Sequence, residues 1–351
     1  MHMQRQSIFW VDIVRVTATF SVIWLHSAAP LLDKYNELSI ENWWVGNIYD
    51  SMVRMCVPLF FMLSGYLLLD KDESLADFFK KRIGKVVFPL MVWSVFYIVW
   101  KHYYLENTPI PFYSFYSLAL APAYYHLWFL YAIIGLYLFM PILRVFINYS
   151  SKVLQYYFVA LWFSAVSMVP FFEKVTHIDS RIDLKMISGY VGYLVVGYLL
   201  GKARATKSIF ITSIVVFFAS IIITSLGTYI LTSRNEGVFV GYLYSYLSPN
   251  VIFMSASFFI LVKYISENTE IAQTVFFKKS IRLLSSASLG IYFVHAMALD
   301  ILKKGDLGFS LSGFSTSAVH AVPATAVVAF ILSFLVIFLI QKIPVVNKIV
   351  P

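Results

Sequence analysis

The chain has 351 residues, 60% of them hydrophobic and only 13% charged, about half the charged share of an ordinary soluble domain. Apolar runs of bilayer length recur along it, which excludes a soluble globular protein and predicts an all-α, polytopic membrane protein whose residues 1–351 form a single integral membrane domain. One cysteine, Cys56, excludes an internal disulfide, and the net charge of +9 needs a source other than nucleic acid, which its distribution supplies.

The first apolar run is SIFWVDIVRVTATFSVIWLHSAAP (7–30). With MHMQRQ before it and HSAAP at its end it has the outline of a secretory signal, but Asp12 and Arg15 inside the run favour a retained helix over 7–29. Ionisable groups at membrane depth cost several kcal/mol, so they turn toward protein or water and often mark function. Arg15 and His26 are eleven residues apart, about 1100° of helical rotation and a rise of roughly 16 Å, so they share one face within about 20°. Asp12 is placed to pair with Arg15 at i,i+3. Packing alone accounts for Arg15 if Asp12 merely neutralises it, and for His26 if it is an interfacial histidine.

The second span, 45–69, contains Arg54 in SMVRMCVPLFFMLSGYLLLD, a buried arginine that needs a partner. After it, KDESLADFFKKRIGK (71–85) sets Phe78, Phe79 and Ile83 among Lys80, Lys81, Arg82 and Lys85. That pattern suits an amphipathic turn on the inner interface, facing either anionic lipid or cytosolic phosphates. Spans at 86–105 and 125–146 follow, the latter opening YYHLWFL with His126 level with His26 or within an aromatic belt. Next come 153–172 and 186–201, where Gly197 and Gly201 form a G-x-x-x-G read as close helix packing. The spans 208–231, 249–266, 286–303 and 321–341 complete ten. The ninth carries His295, read as satisfied by a neighbouring helix, and Asp300. Cys56 reads as packing, and His102, His177 and His320 as loop or interface residues.

With the N-terminus in the cytoplasm, 17 of the 27 Lys and Arg, Arg5 among them, fall on the cytoplasmic side. Eight, including Arg181 and Lys185, fall outside. The asymmetry places both termini in the cytoplasm and explains the basic charge as a topology signal. No G-x-S-x-G, Walker loop or H-E-x-x-H motif occurs, and histidines scattered over several spans do not have metal-ligand spacing.

Five ordered segments carry a family resemblance: R-x10-H from Arg15 to His26, VPLFFMLSGYLLL (57–69), KKRIGKVVFPLMVW (80–93), YHLWFLYAI (125–133) and SLGIYFVHA (288–296). Together they resemble the membrane-bound acyltransferase-3 family. The resemblance implies transfer of an acyl group, usually acetyl, from cytosolic acyl-CoA to a sugar hydroxyl of an envelope glycan or its lipid-linked precursor. It ties activity to Arg15 and His26, and it places the family's basic segment at Lys80, Lys81 and Arg82. Lysines stand where arginines are often found there and supply charge without a bidentate fork. The expected partners are therefore acyl-CoA, a glycan or lipid-linked sugar and the bilayer, with no metal and no nucleic acid.

The chemistry permits His26 as general base on the acceptor hydroxyl, Arg54 or His126 as donors to the oxyanion, and Arg15 facing the anionic part of CoA or holding Asp12. The aligned face of the first helix then forms one track for the pantetheine arm. A glycan transporter or flippase is the rival class, although no internal symmetry of the transporter kind is visible.

Overall fold

The structure, a computed structural model, describes residues 8–111, 113–116, 118, 121–176, 189–269, 274–344 and 346–350. Arg5, His177, Arg181 and Lys185 lie outside the described residues, as does the start of the sixth expected span. The described residues are helical with no strand. Nine helices are long and apolar enough to cross a membrane: α1 (Phe9–Lys34), α2 (Ile40–Leu68), α3 (Leu75–Glu106), α4 (Tyr125–Tyr149), α5 (Lys152–Thr176), α7 (Lys207–Arg234), α8 (Gly241–Asn268), α9 (Val275–Lys304) and α10 (Ala318–Ile340). The described part of the expected sixth span is a shorter apolar helix, α6 (Val191–Lys202).

Two breaks follow from proline. In α2 the helix stops after Met52 and restarts at Cys56. Pro58 has no N–H to give to the Arg54 carbonyl, and its ring crowds that carbonyl, which favours the break there, although α4 runs through Pro141 unbroken. At Pro30 the α-helical part of α1 gives way to a 3-10 turn, Ala29–Lys34. The third span starts earlier than its hydropathy suggests. Ser74 caps Asp77 N at 3.1 Å, and the basic stretch Leu75–Arg82 is the first turns of α3 itself.

α1 lies in the middle of the bundle, against α9, α10, α8 and the second half of α2. Its Val14, Ala18, Ile23 and Ala28 are fully buried. Helices in lipid gain little from the hydrophobic effect and associate through close van der Waals contact between small residues. That device joins α2 to α6: a Cβ on Gly65 would overlap the Leu194 backbone, and one on Gly197 would overlap Met62. Gly201 admits the Tyr66 ring in the same way, so the G-x-x-x-G is a packing seam. Lys263 of α8 ends α6 by donating to the carbonyls of Gly201 at 2.7 Å and Ala203 at 2.5 Å, acceptors that a helix C-terminus leaves open. Between α2, α7 and α8 runs a buried polar seam, with Asn47 Nδ2 on Ser225 O at 2.9 Å and Asn250 Nδ2 on Thr224 Oγ1 at 2.7 Å.

Candidate functional site

The bundle has two chemically different ends, and α1 spans both. Where α1 begins, a cavity of about 440 Å³ opens between α1, α2, α3, α4 and α9. Arg15, Lys71, Arg82 and Lys85 line it with Ser64, Tyr137, Ser288 and Tyr292. Arg15 is held by two acceptors, Ser285 Oγ at 2.7 Å and Asp12 Oδ1 at 3.3 Å, and Ser285 in turn donates to Asp12 at 2.7 Å. The pairing with Asp12 read from the sequence is present, and Ser285 of α9 bridges it.

Beside this cavity Glu73 gathers three cationic side chains. It lies between Lys81 at 2.8 Å, Arg144 at 2.9 Å and Arg82 at 3.5 Å, and Arg144 also donates to Leu68 O at 2.9 Å. Burial pushes its carboxyl up, but hydrogen bonds from Arg144 and Lys81 and their charges outweigh this and hold it at about 2. The guanidiniums of Arg82 and Arg144 cover the Phe78 ring at 4.9 and 4.6 Å. The three basic residues expected to act together therefore separate. Arg82 faces the cavity, Lys81 turns to Glu73, and Lys80 is exposed outside the cavity lining. Lys71 and Lys85 line the cavity instead. The cause is the rotational setting of α3, which Glu73 fixes and which a run of adjacent basic residues does not reveal.

Where α1 ends, three histidines from three helices meet. The His26 ring stacks on His295 with centroids 5.4 Å apart at 21°, and His126 meets His295 edge-on at 4.9 Å. Tyr125 lies 4.8 Å from His26, and Tyr97 4.8 Å from His126. His126 and His295 are buried, so His126 sits inside the bundle and not in an interfacial aromatic belt. Among the described residues, both ring nitrogens of His126 and Nε2 of His295 are buried with no hydrogen-bond partner. Half-buried His26 reaches a second, small pocket of about 60 Å³, with Ser27, Lys303, Ser312 and Thr325 in its lining. Among the described residues no group of three His, Cys, Asp or Glu is arranged to hold a metal ion.

Arg54 stands at the break in α2, close enough to act electrostatically on His26. Its partner is Asp50, one helical turn earlier and wholly buried, with Nη2 on Oδ2 at 2.8 Å and Nε 2.7 Å from Oδ1. The guanidinium also covers the Tyr244 ring at 4.3 Å. Asp50 carries an i,i+4 signal that was open to a reader of the sequence, whereas Ser285, Tyr292 and Tyr97 carry none.

Arg15 and His26 thus line two cavities and not one continuous track. Between the larger cavity and His26 stand the His295 ring and, on the cavity side, the Tyr292 ring. That ring lines the larger cavity, stands 5.6 Å from both His126 and His295, and its hydroxyl donates to the His126 carbonyl. Phe129 and Leu130 complete this side of the cavity. Asp300 anchors the same end from α9, accepting from Trp100 Nε1 at 2.9 Å and Tyr124 Oη at 2.8 Å.

Bilayer-length apolar helices around a cluster of buried imidazoles and a cavity lined by four cationic side chains define a multi-pass membrane protein with a polar site inside its bundle. The chain belongs to the acyltransferase-3 family: the family model, described as an acyltransferase domain, matches residues 8–341. No curated protein and no solved structure matches it.

Proposed function

We propose that this membrane acyltransferase moves a short acyl group, acetyl in the first instance, from cytosolic acyl-CoA to a sugar hydroxyl of an envelope polysaccharide or its lipid-linked precursor. In this reading it works in the cell inner membrane with both termini cytoplasmic. The observation that carries it is the cationic cavity at one end of α1 together with the histidine cluster at the other, where the small pocket beside His26 would have to widen to admit a sugar. Four cationic side chains line the larger cavity, which suits the phosphates of CoA, and the pantetheine arm would have to pass Tyr292 to bring the thioester to the histidines. The opening WVDIVR (10–15) resembles that of the O-acetyltransferase acting on enterobacterial common antigen, which supports an envelope glycan as acceptor.

The chemistry then divides among these residues. Imidazole titrates near neutral pH, so His26, on the acceptor pocket, takes the proton of the sugar hydroxyl as its oxygen attacks the thioester carbon. The oxyanion that forms needs donors in a dry site, and an N–H of His126 or the guanidinium of Arg54 supplies them. The C–S bond breaks and the proton ends on sulfur, giving ester and free thiol. Arg15, Arg82, Lys71 and Lys85 hold the donor and take no part in bond making.

The test is transfer from radiolabelled acetyl-CoA to envelope glycan by the purified protein, with His26→Ala beside it. Labelled glycan from the wild type and none from a folded His26→Ala protein is the expected result. Normal glycan acetylation in cells lacking the protein, with glycan export lost, would replace the enzyme by a transporter. Label retained on the protein without acceptor would replace direct transfer by an acyl-histidine route.

A further inference from the structure

His295 was expected to be a mid-span histidine satisfied by a neighbouring helix. Its ring is completely enclosed, yet only Nδ1 is satisfied, and by its own helix: it lies 2.6 Å from the Tyr292 carbonyl oxygen. A carbonyl only accepts, so Nδ1 carries the hydrogen and the neutral ring holds a bare lone pair at Nε2. That lone pair has no partner among the described residues. Burying such an acceptor unpaired is costly, and a leucine at the same helical position would avoid that cost. Fixing one imidazole nitrogen on a backbone carbonyl, so that the other stays free as base, is the usual way a protein sets a working tautomer. Tyr97 of α3 steadies this turn of α9, donating to Phe293 O at 2.6 Å and accepting from Met297 N at 3.3 Å. His26 carries no comparable orienting bond, and its ring is the one stacked on His295.

We propose that His295 is the proton partner of His26, an inference that rests on His26 being the base of the reaction. The hydroxyl proton is taken up on the acceptor side, while the thiolate leaves on the donor side. The His295 ring lies between His26 and Tyr292, whose ring lines the donor cavity. It takes the proton from His26 and returns it to the departing sulfur, so nothing beyond the two substrates is consumed. The rings are 5.4 Å apart, so the hand-over uses a swing of His26, which is half-buried beside its pocket, toward a His295 that is held still. Arg54 from α2, Tyr97 from α3, Tyr125 and His126 at the start of α4, and Tyr292 from α9 face the pair. The arginine charge opposes a lasting positive charge on His26 and so favours passing the proton on to His295.

The experiment compares His295→Asn and His295→Gln with wild type in the full-length protein. Asparagine keeps an N–H for the Tyr292 carbonyl, and neither amide offers a base of imidazole strength. Thermal midpoint and acetyl-CoA Kd should stay unchanged. The kcat should fall by about 10²- to 10⁴-fold, the usual contribution of acid–base catalysis, and the pH–rate profile should lose one ionisation. A kcat within a few-fold of wild type with the same pH profile overturns the proposal, as does a loss matched by weaker binding and a lower midpoint. If neither variant folds, His295→Ala assayed with added imidazole decides: restored turnover supports the pairing, and none sinks it. His26→Ala separates the two levels. An active His26→Ala removes the proposed base itself, whereas a dead one beside an active His295→Asn removes only the partner.

Discussion

The Asp50–Arg54 pair supplies a prediction that separates folding from catalysis. Asp50 is fully buried and the Arg54 side chain is 12% exposed, so neither charge is left to water. At about 4 Å and an effective dielectric near 20 their attraction is about 4 kcal/mol, and removing one partner of a buried pair typically costs about 3–5 kcal/mol because the other charge stays behind. The ring of Tyr244 over the guanidinium returns at most about 2 kcal/mol of this. Asp50→Asn and Arg54→Met should each destabilise the detergent-solubilised protein by about 3 kcal/mol or more in equilibrium unfolding. The double substitution, which leaves no orphan charge, should cost well under the sum of the two. Activity should follow a different order. Where the guanidinium of Arg54, and not His126, holds the oxyanion, Arg54→Met should stay inactive whether or not Asp50 is also replaced, whereas Asp50→Asn should keep turnover at temperatures where it is folded. Single variants within about 1 kcal/mol of wild type, or an additive double, would refute the buried-pair argument. An active double would refute the catalytic one.

Gly197→Leu should destabilise by at least about 1–3 kcal/mol, since the new side chain overlaps Met62 of α2. Gly135→Ala, with open space around it, should be neutral or stabilising by up to about 1 kcal/mol, and thermal midpoints distinguish the two. Arg82→Ala should raise KM for acetyl-CoA by roughly 10- to 100-fold, the worth of a charged hydrogen bond, without changing that for acetyl-pantetheine, which lacks the nucleotide phosphates; equal effects on both donors would move the phosphates elsewhere. Glu73, held at about 2 against an unfolded value near 4.3, stabilises fully above the unfolded value and loses that contribution as pH falls through the folded one. The stability gap between wild type and Glu73→Gln should therefore be constant above about pH 5 and close toward pH 2; a gap that widens on acidification would contradict the ion cluster.

Much of the bundle was legible in sequence because a bilayer imposes length and hydropathy on every crossing segment. The break at Arg54 follows from Pro58 three residues into the next helix, and the α2–α6 seam from glycines at one helical spacing. These are local rules in which backbone geometry and neighbours along the chain decide. Asp12 with Arg15 and Asp50 with Arg54 belong to the same class, since i,i+3 and i,i+4 partners meet on any helix. The early start of α3 was hidden because its first turns are basic, and hydropathy does not register a helix in which a single buried ring, Phe78, is set among charged side chains, one of which, Arg82, covers it.

By itself, then, the sequence determined that the chain is an all-α membrane protein with ionisable groups at depth, and that Arg15 and His26 lie toward one face of one helix. Only the tertiary structure decided that those two groups open into different cavities, that Lys71 and Lys85 accompany Arg82 while Lys80 and Lys81 do not, and that His295 joins His26 and His126. The reason is physical. Helical period fixes where a side chain sits around its own axis, but the rotation and depth of α1, α4 and α9 against one another come from contacts between residues far apart in the chain.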